Sequence, residues 1–148
     1  MDPCSFSNSD VFVTKSIHFD WSIDFEQKQI TGAVSLTCQL LKDSPSEFIL
    51  DTRFLSIQSV TVGGEACEFK YGSRGKKCEA LGLPLHVLLP TSVPAAGSEV
   101  VMTITYSTTD NCSALQWLTK EQTCGGKHPY LFSQCQVTTI WLVSQTVC

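Results

Sequence analysis

The chain has 148 residues, of which 43% are apolar and 16% charged, and its formal net charge is −4. This length fits one compact domain, and the composition excludes the disordered class. The acidic balance argues against nucleic acid as a partner, because phosphate binding needs clustered Lys and Arg. The nearest basic group is interpreted as a solvated loop tip; it consists of Lys70, Arg74, Lys76 and Lys77.

The N-terminus lacks the positive and apolar regions of a secretory signal, so the protein is expected to be cytoplasmic. Residues 1–10 are expected to form a flexible N-terminal segment. No membrane span is expected, since the most apolar stretch, Val137–Val147, is shorter than the ~20 residues that a span needs. The eight cysteines are therefore predicted to be reduced thiols. A secreted, disulfide-bonded domain is the least favoured alternative.

The first strand prediction comes from alternation of apolar and polar residues at the start of the chain. Ile17, Phe19, Trp21, Ile23 and Phe25 alternate with polar residues, which predicts a half-buried strand. A polar break at residues 26–29 separates it from a second apolar alternation over residues 30–40. The two runs predict an antiparallel hairpin, with Gly32 interpreted as a bulge.

Further short alternating runs follow at regular spacing. They cover residues 48–50, 55–62, 67–71, 83–89 and 100–106, with Gly63-Gly64 as a tight turn. Seven or so strands in a meander are predicted, and no stretch shows a helical stripe with caps. The fold class is therefore all-β, either a sandwich or a strongly curved sheet.

The sequence lacks the common catalytic signatures. It contains no H-E-x-x-H, no G-x-S-x-G elbow and no glycine-rich phosphate loop. His18, His86 and His128 are isolated, and no closely spaced Cys or His pair favours a zinc site. We predict no catalytic residue and no metal ligand in this chain.

One stretch near the end of the chain resembles a known family. Ser113–Thr119, Glu121–Thr123 and His128–Gln136 are similar to the amino-terminal domain of zinc aminopeptidases of the leukotriene A-4 hydrolase and aminopeptidase B type, in peptidase family M1. Residues 130–136 favour the hydrolase branch. The likeness is looser at Ile30–Gly32 and Leu50–Thr52.

The resemblance covers residues 11–136 and departs from the family at two places. Lys120 stands where the family usually has proline, and Cys124–Lys127 differs as well. Residues 137–148 resemble nothing in the family and are treated as a divergent tail. A splice variant, a retained intron or an incomplete gene model would each give such an ending.

The resemblance implies a curved, saddle-like, multi-stranded antiparallel or mixed sheet, or a sandwich. It also implies a parent enzyme that removes amino-terminal residues from peptides and hydrolyses a fatty-acid epoxide. The family's zinc site and its G-x-M-E-N segment belong to a catalytic domain and are absent from this sequence. Zinc is therefore expected only in the full-length parent, and the chain alone is expected to be inactive.

Two glutamines match residues that line the family's substrate cleft. The resemblance implies that Gln136 binds the peptide's amino end and that Gln134 lies beside it; the alternative is that both amides only satisfy a strand edge. Peptide or lipid-epoxide substrates would bind only with the missing catalytic domain.

The large aromatic residues and the exposed surface lead to two further expectations. Trp117 and Tyr130 are predicted to pack in the β core or against the next domain, and an exposed apolar docking face is expected. The rival functional hypothesis is a stand-alone β-sandwich interaction module without catalysis.

Overall fold

The computed structural model describes residues 5–73, 75 and 82–133 of the chain. These residues contain strands and one 3₁₀ turn, Lys120–Gln122, and no α-helix. The strands are β1 (Phe12–Asp24), β2 (Gln29–Leu40), β3 (Glu47–Thr52), β4 (Leu55–Val62), β5 (Glu65–Ala66), β6 (Phe69–Tyr71), β7 (Leu83–Leu88), β8 (Glu99–Thr108), β9 (Leu115–Leu118) and β10 (Tyr130–Ser133). Every pairing between them is antiparallel, so the all-β prediction is confirmed.

The strands form three sheets. The largest has the order β1-β2-β8-β4-β5, a second has the order β3-β7-β6, and β9 and β10 form a two-stranded sheet. The predicted meander is wrong, because β8 lies between β2 and β4. Apolar alternation reports which face of a strand is buried and does not report which strand lies beside it.

The five-stranded and three-stranded sheets enclose one hydrophobic core. Its buried residues come from both sheets and include Leu40, Phe48, Leu85, Met102 and Tyr106. Phe12 of β1 meets Phe48 of β3 with ring centroids 4.3 Å apart, which joins the two sheets directly. The arrangement is a sandwich with a second, smaller cluster under the β9–β10 hairpin.

The predicted hairpin between the first two strands is confirmed. Asp24 pairs with Gln29 across a four-residue loop, and the Asp24 carboxylate accepts hydrogen bonds from the backbone N–H groups of Glu26 and Gln27, both at 2.9 Å. Along β2 the predicted apolar positions are buried: Ile30, Val34, Leu36, Cys38 and Leu40. The loop thus fixes the register that places this face in the core.

The prediction of a bulge at Gly32 is wrong. Gly32 stays in regular register, between Trp21 of β1 and Tyr106 of β8. The register shift in β1 lies instead between Thr14 and Ser16. A side chain on Gly32 would place its Cβ 2.0 Å from the Asp20 carbonyl oxygen, so the glycine permits a close approach of β1.

The segment before β1 is hydrogen-bonded to β3. The Ser5 hydroxyl and the Phe6 backbone N–H donate to the Asp51 carboxylate at 2.6 and 2.8 Å. The Asn8 side-chain oxygen accepts from the Ile49 backbone N–H at 2.8 Å. Part of the segment expected to be flexible is therefore fastened to the sandwich, and residues 1–4 lie outside the described residues.

The described residues show the burial of several cysteines and contain no candidate membrane-spanning helix. Cys38 is a buried free thiol, Cys67 is half-buried and Cys124 is exposed. Within residues 5–73, 75 and 82–133, no helix has the length and hydropathy needed to cross a bilayer.

Candidate functional site

The two glutamines assigned to a substrate cleft, Gln134 and Gln136, lie outside the described residues. The strand that leads to them, β10, is described up to Ser133. It pairs with β9 in a register that sets Tyr130 opposite Leu118, Leu131 opposite Trp117 and Phe132 opposite Gln116. The candidate site is therefore built from this hairpin.

The inner face of the hairpin is packed against the sandwich. Leu115, Trp117 and Leu131 contact a cluster that includes Ile30 and Ala114. The Trp117 ring meets the Phe25 ring edge-on, with centroids 5.6 Å apart. The predicted packing role of Trp117 is confirmed, and this packing anchors the hairpin to the β1–β2 end of the large sheet.

The outer face of the hairpin carries exposed aromatic rings. Tyr130 is 57% exposed and Phe132 is 36% exposed, and their ring centroids lie 6.5 Å apart. Tyr130 is therefore not buried in the β core, and its packing against a further domain stays a prediction. Two neighbouring exposed aromatics give the hairpin an apolar surface that a partner could cover.

The connection from β9 to β10 is held by its own polar residues. The Thr119 backbone N–H donates to the Gln122 side-chain oxygen at 2.9 Å. The Thr123 hydroxyl lies 2.8 and 2.9 Å from the Lys120 and His128 carbonyl oxygens, which share its one proton. The exposed Glu121 carboxyl accepts hydrogen bonds from the Glu121 backbone N–H and from the Thr119 hydroxyl, and both lower its pKa. The Glu121–Thr123 motif thus shapes the turn that positions β10.

A small cavity of about 80 Å³ lies where β10 meets the large sheet. Its walls are Trp21, Ile23, Ile30, Tyr106, Thr108, Leu115, Leu131 and Ser133. Small-molecule sites usually enclose roughly 300–1,000 Å³, so this cavity is too small to be a substrate pocket. One of its wall residues, Ser133, directly precedes Gln134 in the sequence.

Three polar side chains in the cavity wall, those of Trp21, Tyr106 and Thr108, take part in hydrogen bonds. The Trp21 indole N–H donates to the Tyr106 hydroxyl at 2.9 Å, and the Ile30 backbone N–H donates to the Thr108 hydroxyl at 3.0 Å. Burial raises the pKa of Tyr106 from 10.0 to about 12, so its phenol keeps its proton further into the alkaline range than an exposed tyrosine does. The sequence alternation placed Trp21 and Tyr106 on inward-facing positions but did not predict that they bond to each other. The one sequence signal for this hydrogen bond is that buried indole and phenol groups need hydrogen-bond partners.

The described histidines and carboxylates do not assemble a catalytic or metal centre. His86 Nδ1 lies 2.9 Å from Glu47 Oε2, and His18 and His128 are exposed and far apart in sequence. Over residues 5–73, 75 and 82–133, no three His, Cys, Asp or Glu side chains lie close enough together to hold a metal ion. These residues therefore do not fit a zinc ion.

Comparison with known proteins identifies relatives over nearly the whole chain. The Peptidase M1 N-terminal domain family matches residues 13–140, against a predicted domain of residues 11–136. Leukotriene A-4 hydrolase of Xenopus laevis is 43% identical over 137 residues, which are 93% of this chain and 22% of that protein. Leucine aminopeptidase 2 of Phaeosphaeria nodorum is 40% identical over 135 residues, which are 91% of this chain and 21% of that protein.

The fold is also similar to that of solved structures. Native leukotriene A4 hydrolase from Saccharomyces cerevisiae superposes with a TM-score of 0.79 at 32% identity, covering 94% of this chain and 21% of that one. These matches confirm the resemblance carried by residues 113–136. The chain spans about a fifth of the length of the relatives it matches.

Proposed function

Because the chain belongs to the peptidase M1 N-terminal domain family, we propose that it contributes one wall of the substrate cleft of a zinc aminopeptidase of the leukotriene A-4 hydrolase type. The catalytic domain would supply the opposite wall, the zinc ion and the reacting groups. On this proposal the chain alone is inactive, and it works in the cytoplasm.

The phase of β10 is the observation that carries the proposal. Tyr130 and Phe132 carry exposed aromatic rings on this strand, where Ser133 is exposed as well and Leu131 is half-buried. Gln134 and Gln136 are the next residues in the two-residue period of Tyr130 and Phe132. A continuing strand would present the two amides on the face that already carries exposed aromatics. An amide is neutral and offers both donors and an acceptor, which suits a peptide's amino end.

The relatives' names give the chemistry of the proposed parent. One is named leucine aminopeptidase 2 and the other leukotriene A-4 hydrolase. Together with the family resemblance, these names favour short peptides and, in the hydrolase branch, a lipid epoxide as the substrates. No three His, Cys, Asp or Glu side chains among the described residues lie close enough together to hold a metal ion, so on this proposal the zinc ion would be held by the catalytic domain.

The proposal can be tested in a chimera. Residues 11–136 would replace the matching segment of Xenopus laevis leukotriene A-4 hydrolase, and hydrolysis of an amino-acid anilide would be measured together with the zinc content. We expect the chimera to bind zinc and turn over, and Gln136→Ala to raise KM by roughly 10-fold, as expected for a lost hydrogen bond to a charged group.

Gln27→Ala is the matched control, because Gln27 is an exposed glutamine of the β1–β2 loop. It should leave KM unchanged. A folded, zinc-loaded chimera whose KM is the same with and without Gln136 would contradict the cleft role.

A further inference from the structure

A second, larger cavity lies where β3 turns into β4. Its volume is about 510 Å³, which falls within the roughly 300–1,000 Å³ of small-molecule sites. The described part of its wall comes from the β3–β4 turn, the end of β6 and the start of β7, with the residues Thr52, Arg53, Phe54, Leu55, Ser56, Tyr71, Gly82 and Leu83. By its size the cavity can hold a small organic molecule.

The turn between β3 and β4 holds Phe54 in an unusual backbone conformation. Phe54 has a φ of 58°, in the left-handed region that bulky residues rarely adopt. Its carbonyl oxygen accepts hydrogen bonds from the Thr109 backbone N–H and hydroxyl, at 3.0 and 3.1 Å. Such a conformation persists only where the surrounding structure enforces it. The turn therefore fixes the direction in which the Phe54 side chain leaves the backbone at the cavity wall.

The Arg53 guanidinium group lies over the Phe54 ring, 4.6 Å from its centroid. Among the wall residues that the structure describes, Arg53 is the one that carries a charge. Stacking uses the face of a guanidinium group and none of its five N–H donors, and a carboxylate needs two of these donors for a bidentate pair. The stack on Phe54 thus orients Arg53 for an anion at the cavity.

The rest of the described wall offers mostly apolar surface. Leu83 is 40% exposed and Tyr71 is 45% exposed, so both side chains can be covered further by a ligand. The Tyr71 hydroxyl lies 3.4 Å from the Leu55 carbonyl oxygen, which ties the ring to the start of β4. A ligand that fits this wall has an apolar or aromatic body beside its anionic group.

We propose that this cavity binds a small aromatic carboxylate. The carboxylate pairs with the Arg53 guanidinium group, and the aromatic ring covers Tyr71 and Leu83. A carboxylate is favoured over a phosphate because one guanidinium group matches its single charge and its two oxygens. The site is independent of catalysis and of the cleft role of Gln136, and its alternative is that the Arg53–Phe54 stack only stabilises the turn.

The direct test is an NMR titration of the intact chain with phenylacetate and with its neutral analogue, phenylacetamide. Phenylacetate should cause saturable shifts of the amide signals of Leu55, Ser56 and Leu83. Phenylacetamide should bind about 10-fold more weakly or less, because it cannot form the hydrogen bonds to a charged group. Equal affinity for the two probes, or no saturable shift at these residues, would overturn the proposal and leave the stack a structural role only.

A substitution of Arg53 tests the charged contact. Arg53→Gln should weaken phenylacetate binding by about 10-fold or more and leave the binding of phenylacetamide unchanged. Lys15→Gln is the matched control, since Lys15 is an exposed cation of β1 outside the described wall and its loss changes the net charge equally. A folded Arg53→Gln chain with undiminished affinity for phenylacetate would also overturn the proposal.

A substitution of Leu83 tests the apolar contact without touching Arg53. Leu83→Ser should weaken the binding of both probes by the same factor, because both carry the same aromatic ring. Leu88→Ser is the matched control: Leu88 lies on the same strand and is 38% exposed, but it is not among the wall residues. Equal affinities in Leu83→Ser and Leu88→Ser would show that the ring does not bind in this cavity.

Discussion

Gly32 lies in the middle of β2, where β1 and β8 approach it from both sides. Its φ of 151° is rarely adopted by residues with a side chain, and an added Cβ would lie 2.0 Å from the Asp20 carbonyl oxygen. Gly32→Ala should therefore lower the free energy of unfolding by about 3 kcal/mol or more, measured by urea denaturation.

Gly64→Ala is the matched control for this substitution. Gly64 also has a positive φ, 87°, but nothing lies within 4 Å of its Cβ position. It should cost only about 1 kcal/mol, the penalty of the backbone conformation itself. Equal losses in the two variants would contradict the close approach of β1 to Gly32.

Cys38 gives the folded state a defined sensitivity to alkali. Burial raises the pKa of the Cys38 thiol from its usual 9.0 to about 11. Between these values the unfolded chain loses the thiol proton and the folded chain keeps it, so the unfolded state gains stability as pH rises. The contribution is fully present below pH 9.0 and lost by pH 11, about 3 kcal/mol in all.

Cys38→Val should remove this part of the pH dependence, since valine also fills the site but does not titrate. Urea unfolding measured from pH 8 to about 11 should show a shallower loss in the variant. The remaining loss should come from Cys67, whose thiol pKa burial also raises, and from Tyr106, which contributes from about pH 10 because burial raises its pKa from 10.0 to about 12. Cys124→Val, at an exposed position, should keep the loss because Cys38 is still present.

At the scale of the structural element, the turn between β9 and β10 accepts a proline. Lys120 is the first residue of the 3₁₀ turn, and Thr119 before it is extended, with φ −70° and ψ 163°. This is the conformation preferred before proline, and a first-turn residue needs no N–H donor.

Lys120→Pro should therefore raise the free energy of unfolding by about 0.4–1 kcal/mol, by reducing the entropy of the unfolded chain. Thermal or urea unfolding measures this gain. Gln122→Pro is the control: it should destabilise the protein, because the Gln122 backbone N–H donates to the Thr119 carbonyl oxygen at 3.0 Å. A loss of stability in Lys120→Pro would show that the turn is not set up for proline.

The strands show what the sequence could and could not predict. The apolar alternation of residues 17–40 predicted the first hairpin, its loop and its buried face, because these features follow from the local sequence. The insertion of β8 between β2 and β4 was missed, since it depends on long-range pairing that no local pattern encodes. The roles of Gln134 and Gln136 came from resemblance alone and stay predictions.

At the scale of the whole molecule, the motifs that carry the resemblance mostly build the fold. Gly32 lets β1 approach β2, Asp51 accepts hydrogen bonds from the N-terminal segment, and Thr123 closes the turn before β10. These contacts are structural and involve no reacting group. These residues therefore act as a scaffold that holds β10 in position.

The outer face of the β9–β10 hairpin should govern how the isolated chain associates. Aromatic side chains such as those of Tyr130 and Phe132 bury 150–250 Å² each when they are fully covered, so their exposure favours contact with another molecule. The double variant Tyr130→Ser, Phe132→Ser should therefore sediment closer to the monomer than the unmodified chain at equal concentration. Val13→Ser combined with Val101→Ser removes comparably exposed apolar groups elsewhere on the sandwich and should change sedimentation less. If both double variants reduced association equally, self-association would reflect general surface hydrophobicity. That result would contradict the prediction that the hairpin is the docking face.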